Sequence, residues 1–433
     1  MIRIRYAFAA AFIFLTAFGA AAAETQTLLE GATIIDGYSA HAPRVASILI
    51  EGGRIAKIDD AIAAPAGAIV IDLHGKWIIP GLIDAHVHLT EGKRSEIEKM
   101  LARALRGGIT AVRDMGGDDR ILIGLARDTR LGDIDGPDIV YSALMAGPSF
   151  FKDPRAVASA LGAIAGETPW MRAVTPQTDL HAAMLEAKGI GATGIKIYAN
   201  LPATEVARVT AAAHEAGFRV WSHATIFPAT PIDAVRAGVD VISHTPLLAW
   251  AGVKSVPQTY DHRYDIDYAA LDLHAPAFRT LFDEMVKRGT ILDATNAVFE
   301  PREAGHTLPG AEARFRFATA ATKMAHQLGI RVDAGTDSLF LPKQELPLLH
   351  HEIEILVADC GFSAAEAIES ATRINAGVLG IAADAGTIEQ GKRANLVVLN
   401  ADPLLDIRNT TAIDRVIKDG RIYEASKTPP SAH

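Results

Sequence analysis

The chain has 433 residues, 49% hydrophobic and 21% charged, with a formal net charge of −9. That length suits one large α/β barrel with a smaller appendage, or two or three ordinary domains. Its basic residues are scattered and its balance is acidic, which argues against nucleic acid or an anionic membrane surface as a partner.

At the N-terminus, Arg3 and Arg5 precede an apolar run over 6–18, and Ala21-Ala22-Ala23 supplies small residues before Glu24. This pattern predicts a cleaved signal peptide over 1–23. The apolar run is short for a membrane span, so an uncleaved anchor is the weaker reading. The expectation is a periplasmic or secreted protein with no stable membrane anchor after cleavage.

Short strand-like stretches follow at 28–35, 47–51, 54–58 and 68–72, with the turn Glu51-Gly52-Gly53-Arg54 between two of them. Alternation broken by glycine turns is the signature of antiparallel hairpins. A similar pattern returns at 395–400, 413–418 and 421–424. Residues 24–79 and 382–433 are therefore expected to build one small β-sandwich domain from both chain ends.

Between these flanks, over 80–381, apolar strand-length runs alternate with amphipathic helix-length segments. The candidate strands are 78–86, 110–115, 139–143, 194–198, 219–223, 239–244, 290–295 and 330–337. Several intervening helices end in glycine just before the next strand, at Gly217, Gly238, Gly289 and Gly329. Eight parallel strands with helices between them predict a (β/α)8 barrel. A doubly wound open sheet is the alternative, but no G-x-G-x-x-G follows the first strand. Two connections exceed what a barrel needs, 144–176 and 246–277. The second holds Trp250, Tyr260, His262, Tyr264, Tyr268 and His274, which suggests a cover over substrate. The only cysteine, Cys360, rules out a disulfide framework and a cysteine metal site, and reads as a small buried hydrophobe.

The chemistry begins at Asp84-Ala85-His86-Val87-His88. Residues two apart on a strand face the same side, so His86 and His88 can bind one metal through imidazole nitrogens. Alone, such an H-x-H is weak. Four other strands, however, also end in a residue able to ligate: Lys196, His223, His244 and Asp337. Each could singly be a satisfied core residue. Jointly they lie at the face where barrel enzymes keep their sites.

With these residues in place, the chain resembles the amidohydrolase superfamily, in its binuclear branch with a carboxylated lysine. The likeness extends over nearly the whole mature chain and includes the tail Gly391-Lys392-Arg393-Ala394-Asn395-Leu396-Val397-Val398-Leu399, where the family usually has Asp in place of Asn395. Within the superfamily it looks most like enzymes related to Xaa-Pro dipeptidases and imidazolonepropionases. The resemblance implies that His86, His88 and Asp337 hold one divalent ion, zinc by ligand type, and that His223 and His244 hold a second. Lys196, carboxylated by carbon dioxide, would bridge them, because an unmodified ammonium would repel a dication. A water shared by the two ions would then attack the scissile carbonyl, with Asp337 moving the proton to the leaving amine.

Tyr198 shares a face with Lys196 and is the residue expected to contact substrate. Arg113 and Asp114 are expected behind the ligands. His181, His214 and His326 fall in outer helices, and His350 reads as a capping or surface residue. The reading is therefore a metal-dependent amidohydrolase that cleaves a C–N amide bond of a dipeptide, Xaa-Pro-like, or of an N-acyl amino acid. Hydrolysis of a lactone, cyclic imide or organophosphate ester by the same metal pair is the alternative, and a non-catalytic binding or assembly protein the remote one. A small molecule is the expected partner, and a homo-oligomer is compatible with the sequence.

Overall fold

Apolar residues alternating with polar ones set the first five strands of the computed structural model, which describes residues 26–301 and 309–425. The expected signal peptide lies outside these residues. β1 (Thr27–Ile34), β2 (Arg44–Glu51), β3 (Arg54–Asp59), β4 (Ile69–Asp72) and β5 (Trp77–Pro80) lie close to the sequence expectation. β1 pairs antiparallel with β2, and β2 with β3, so the Gly52-Gly53 turn makes a hairpin.

The expected single strand at 78–86 is instead two. The chain breaks at Gly81, where an added Cβ would lie 2.2 Å from Thr110 Oγ1. Only glycine allows the bend to pass this close to the neighbouring strand. β5 stays with the first sheet, and β6 (Leu82–Val87) enters the second.

The second sheet continues through β7 (Ile109–Asp114), β8 (Asp138–Ala146), β9 (Met171–Ala173), β10 (Gly194–Ile197), β11 (Arg219–His223), β12 (Val241–Ser243), β13 (Ile291–Asp293) and β14 (Val332–Asp333). β6, β7, β8 and β10 to β14 pair in parallel in chain order, while β9 sits beside β8. The two ends of this path meet. Ala85 N donates to Ala334 O at 3.1 Å, and Asp337 N donates to His86 O at 2.8 Å. Buried Asn375 clamps the seam, its Nδ2 donating to Ile83 O (2.6 Å) and Ala334 O (2.7 Å) and its Oδ1 accepting from Ala334 N (3.0 Å). The result is the (β/α)8 barrel the sequence predicts.

β15 (Leu396–Leu399), β16 (Ile413–Lys418) and β17 (Arg421–Glu424) return to the first sheet, where β15 pairs antiparallel with β5. Both chain ends thus build one sheet. Its own core holds Leu29, Ile48, Ile55, Ile78, Leu396 and Ile417.

Two layers fill the barrel region. Outside the strands, helices lay apolar stripes on the sheet; the helix Arg94–Arg106 buries Ile97, Leu101, Ala104 and Leu105 at helical spacing. Inside, Ile83, Ala111, Val140, Trp221, Val241 and Ile291 pack together. Gly194 leaves room for the Trp221 ring, since a Cβ there would lie 2.4 Å from it. The interior also holds Arg113, Asp293 and Asp333, all fully buried. No helix among the described residues is long and apolar enough to cross a membrane.

His181, His214 and His326 lie in outer helices as expected. His350 differs from expectation. It is buried, with Nδ1 3.0 Å from Thr410 Oγ1 and Nε2 2.8 Å from Gly107 O, and it ties its helix to the C-terminal segment. Cys360 is buried.

Candidate metal centre

Strand ends decide what faces the barrel mouth. His86 lies near the end of β6 and His88 just beyond it, so the alternation that buries Ala85 and Val87 turns both histidines to one side. Their ring centres are 5.6 Å apart. His244 follows β12 and lies 4.8 Å from His86 and 4.8 Å from His223, ring to ring. Four imidazoles from three strands therefore form a continuous arc.

Asp337 closes the arc. Its Oδ1 stands 3.3 Å from His86 Nε2 and 3.2 Å from His88 Nε2. The ligating atoms of His86, His244 and Asp337 fall within 4.8 Å of one another. Asp337 is four residues past the short β14, in the stretch that hydrogen-bonds to β6. Lys196, on β10, is 1% exposed, and its Nζ reaches only Ser243 Oγ at 3.5 Å. Among the described residues it meets no carboxylate at ion-pair distance.

Several of these residues hold unusual backbone. His244 (φ 72°), Thr295 (φ 51°) and Asp337 (φ 60°) are left-handed without being glycine. Each such residue costs on the order of 1–3 kcal/mol and persists only where surrounding contacts fix it. Here His244 Nδ1 is held by Thr295 Oγ1 at 2.9 Å.

The protonation states suit metal ligation. Burial pushes His244 down to about 3, and burial together with Lys196 holds His223 well below the usual imidazole range. Both rings are therefore neutral, the form that coordinates a cation. Burial would depress His88 too, but the Asp337 carboxylate outweighs it and raises His88. Burial alone would raise Asp337, yet His244, His86 and His88 hold its carboxyl well below the usual range. Burial brings Lys196 down to about 7.

This donor set fits divalent cations. His223 Nδ1 is buried with no hydrogen-bond partner among the described residues, a costly arrangement unless something else takes the lone pair. Nitrogen and carboxylate donors at this spacing are the set that zinc accepts.

One contributor was not singled out by the sequence reading. Asp293, at the end of β13, is fully buried and places Oδ2 2.6 Å from His86 Nδ1. Although burial would raise it, His86 and Arg113 hold its carboxyl low. It fixes the tautomer of His86 and leaves Nε2 free to face a cation. Arg113 stands behind it, with Nη2 3.4 Å from Asp293 Oδ2 and its guanidinium 4.6 Å from the Trp221 ring. Asp114 instead shapes the loop after β6, accepting from Leu89 N at 2.7 Å. Asp293→Asn is expected to cut metal affinity by about 10–100-fold, as loss of such a supporting carboxylate usually does. Competition titration with a chromogenic chelator measures this, and unchanged affinity would remove Asp293 from the site.

Above the arc opens a cavity of about 720 Å³, lined by His88, His223, His244 and Asp337 at its base. Tyr198, Trp250, Tyr260, Tyr264, Tyr268 and Phe299 supply aromatic walls. Four of these six come from the long 246–277 connection, which therefore lines the cavity. Tyr198 lines the cavity, but its ring also packs 3.9 Å from that of His223. Asn200 (φ 60°) anchors the cover: its Oδ1 accepts from Tyr260 N at 2.7 Å and its Nδ2 donates to Ser149 Oγ at 3.0 Å.

Comparison with known proteins gives consistent neighbours. A sequence model described as "Amidohydrolase family" matches residues 77–423. A stretch of 88 residues is 40% identical to a dihydroorotase of Geobacter sulfurreducens, though it spans only 20% of each chain. The fold superposes on a Xaa-Pro dipeptidase solved with methionine in its active site, with TM-score 0.72, 25% identity, and coverage of 92% of this chain and 100% of the other. It also superposes on A. niger ochratoxinase, with TM-score 0.72, 19% identity, and coverage of 94% and 97%, a likeness that shows the fold alone.

Proposed function

The chain belongs to the amidohydrolase family, a hydrolytic enzyme acting on carbon–nitrogen bonds, and from that premise we propose that it cleaves the amide bond of a dipeptide or N-acyl amino acid with a bulky apolar part. The observation that carries this reading is the convergence of His86, His88, His223, His244 and Asp337 beneath an aromatic-walled cavity, with Lys196 buried on an adjacent strand. A cavity of about 720 Å³ has the size of small-molecule sites rather than of a protein-docking face.

In this proposal His86, His88 and Asp337 would hold one divalent ion, and His223 and His244 a second, with zinc the default. Lys196 would join them as its carbamate, a change favoured by the low proton affinity that burial gives its amine. Bound there, such ions supply Lewis acidity that activates water and polarises a carbonyl. The chain's own residues do the rest. Asp293 orients His86, and the 246–277 cover keeps bulk water from the substrate. The ionised Asp337 carboxylate takes a proton from the attacking water and returns it to the leaving nitrogen. Tyr198, against His223 at the cavity wall, is placed to touch substrate. The proposal also includes export to the periplasm or medium, on the strength of Arg3, Arg5 and the apolar run that follows.

The test is a metal-loaded substrate panel of Xaa-Pro and other dipeptides, N-acyl amino acids, lactones and a phosphotriester. Amides are expected to be turned over with kcat/KM at least about 10²-fold above the esters and lactones, some 2.7 kcal/mol of transition-state discrimination. Turnover confined to the lactones or the phosphotriester would refute the amide reading.

A further inference from the structure

Resting on the amide reading above, we propose that the cavity rim is a carboxylate-binding site built from Arg263 and Arg314, so that the preferred substrate is an anionic amide bearing a bulky apolar group. Both arginines line the cavity. Each stands one aromatic ring back from a histidine of the arc. The Arg263 guanidinium lies 3.4 Å from the Tyr260 ring centre, and that ring lies 5.9 Å from His223. The Arg314 guanidinium lies 5.2 Å from the Phe299 ring centre, itself 6.1 Å from His244. Tyr268 lines the same cavity; burial raises its hydroxyl, and the charges of Arg314 and Arg263 partly offset that rise.

Both line the cavity without an ion-paired carboxylate among the described residues. Most arginines among the described residues are matched to carboxylates, including Arg155, 5.9 Å from the Tyr260 ring centre, which holds Asp153 at 2.7 Å. Among the described residues, neither Arg263 nor Arg314 meets a carboxylate at ion-pair distance or hydrogen-bonds to a carbonyl, and Arg314 Nε is buried with no partner. Asp261 and Asp265 share the rim without pairing to either; Asp261 is turned to Thr259 and His262.

Stacking on an aromatic ring leaves a guanidinium's in-plane donors free and fixes their direction, which suits bidentate capture of a carboxylate. A free carboxylate one residue from the scissile amide lies within about 4 Å of the reacting carbon, a span compatible with an arginine set one ring beyond the histidines. Trp250, Tyr264 and Phe299 offer the flat surfaces for the apolar group beside it.

The experiment compares N-acetyl-L-phenylalanine with its carboxamide, which differ only in that charge. With chelator-stripped protein, where no ion can attract the carboxylate, binding is read from tryptophan fluorescence or calorimetry. The acid is expected to bind at least about 10-fold tighter than the carboxamide, and R263Q and R314Q each to lose about 10-fold for the acid alone. Equal affinity for the two compounds, no binding of either, or a preference that survives both substitutions would overturn the proposal. Tight, arginine-dependent binding of the acid with no hydrolysis by the metal-loaded enzyme would keep the rim site and refute the amide reading instead.

Discussion

Lys196→Met is expected to lower kcat/KM by at least about 10³-fold, some 4 kcal/mol of transition-state stabilisation, while leaving the melting temperature unchanged or raised. The two halves of this prediction come from the same facts. Lys196 is almost wholly buried, and its Nζ has one contact, Ser243 Oγ at 3.5 Å. An amine so placed is poorly solvated and poorly paired, so as a structural element it costs stability. Methionine matches its length and volume and carries no charge, so the barrel interior accepts it. A lysine that weakens the fold and sits on a strand beside His223 fits the chemical role proposed for it. Adding a short carboxylic acid to Lys196→Ala, where the cavity can admit one, is expected to restore part of the activity. Full activity in Lys196→Met would remove the lysine from the centre, and a large loss of melting temperature would make its role structural.

The barrel was legible because its determinants are local. The run at 219–223 matches β11 residue for residue, and its terminal His223 lies where a strand-end histidine should. The hairpins at both ends declared themselves through alternation and glycine turns. Other features depend on partners far away in sequence. The strands β12, β13 and β14 are shorter than their apolar patterns, and His244, Thr295 and Asp337 beyond them turn left-handed at positions where apolar alternation gives no warning. Asp293 read as one more polar residue in an apolar run. Its meaning comes from His86, 207 residues earlier, and no spacing rule connects them. The signal that could have found it was an Asp near the end of a candidate barrel strand, a cue like the one that pointed to the candidate ligands. The split at Gly81 was hidden similarly, since it depends on the Thr110 side chain passing beneath.

Asp337→Asn is expected to lower kcat by at least about 10³-fold with melting temperature changed by only a few degrees, because it removes a charge and spares the backbone. The choice of asparagine is dictated by φ. At 60° this residue is left-handed, a conformation that Asp and Asn adopt readily and other L-residues adopt at a cost of about 1–2 kcal/mol. Asp337→Ala would therefore mix lost chemistry with strain, whereas the asparagine isolates the carboxylate. Asparagine also keeps an oxygen near His86 and His88, where Oδ1 now stands at 3.3 and 3.2 Å. It cannot shuttle a proton, and it neutralises the carboxylate that lines the cavity beside His88, His223 and His244. Comparing the two variants by kcat and by thermal unfolding separates the roles. Equal kcat losses with a lower melting temperature only for alanine are the expected outcome. An Asp337→Asn enzyme within about 10-fold of the native kcat would mean that the proton leaves by another route, since a positioned acid–base group is worth 10²–10⁴-fold.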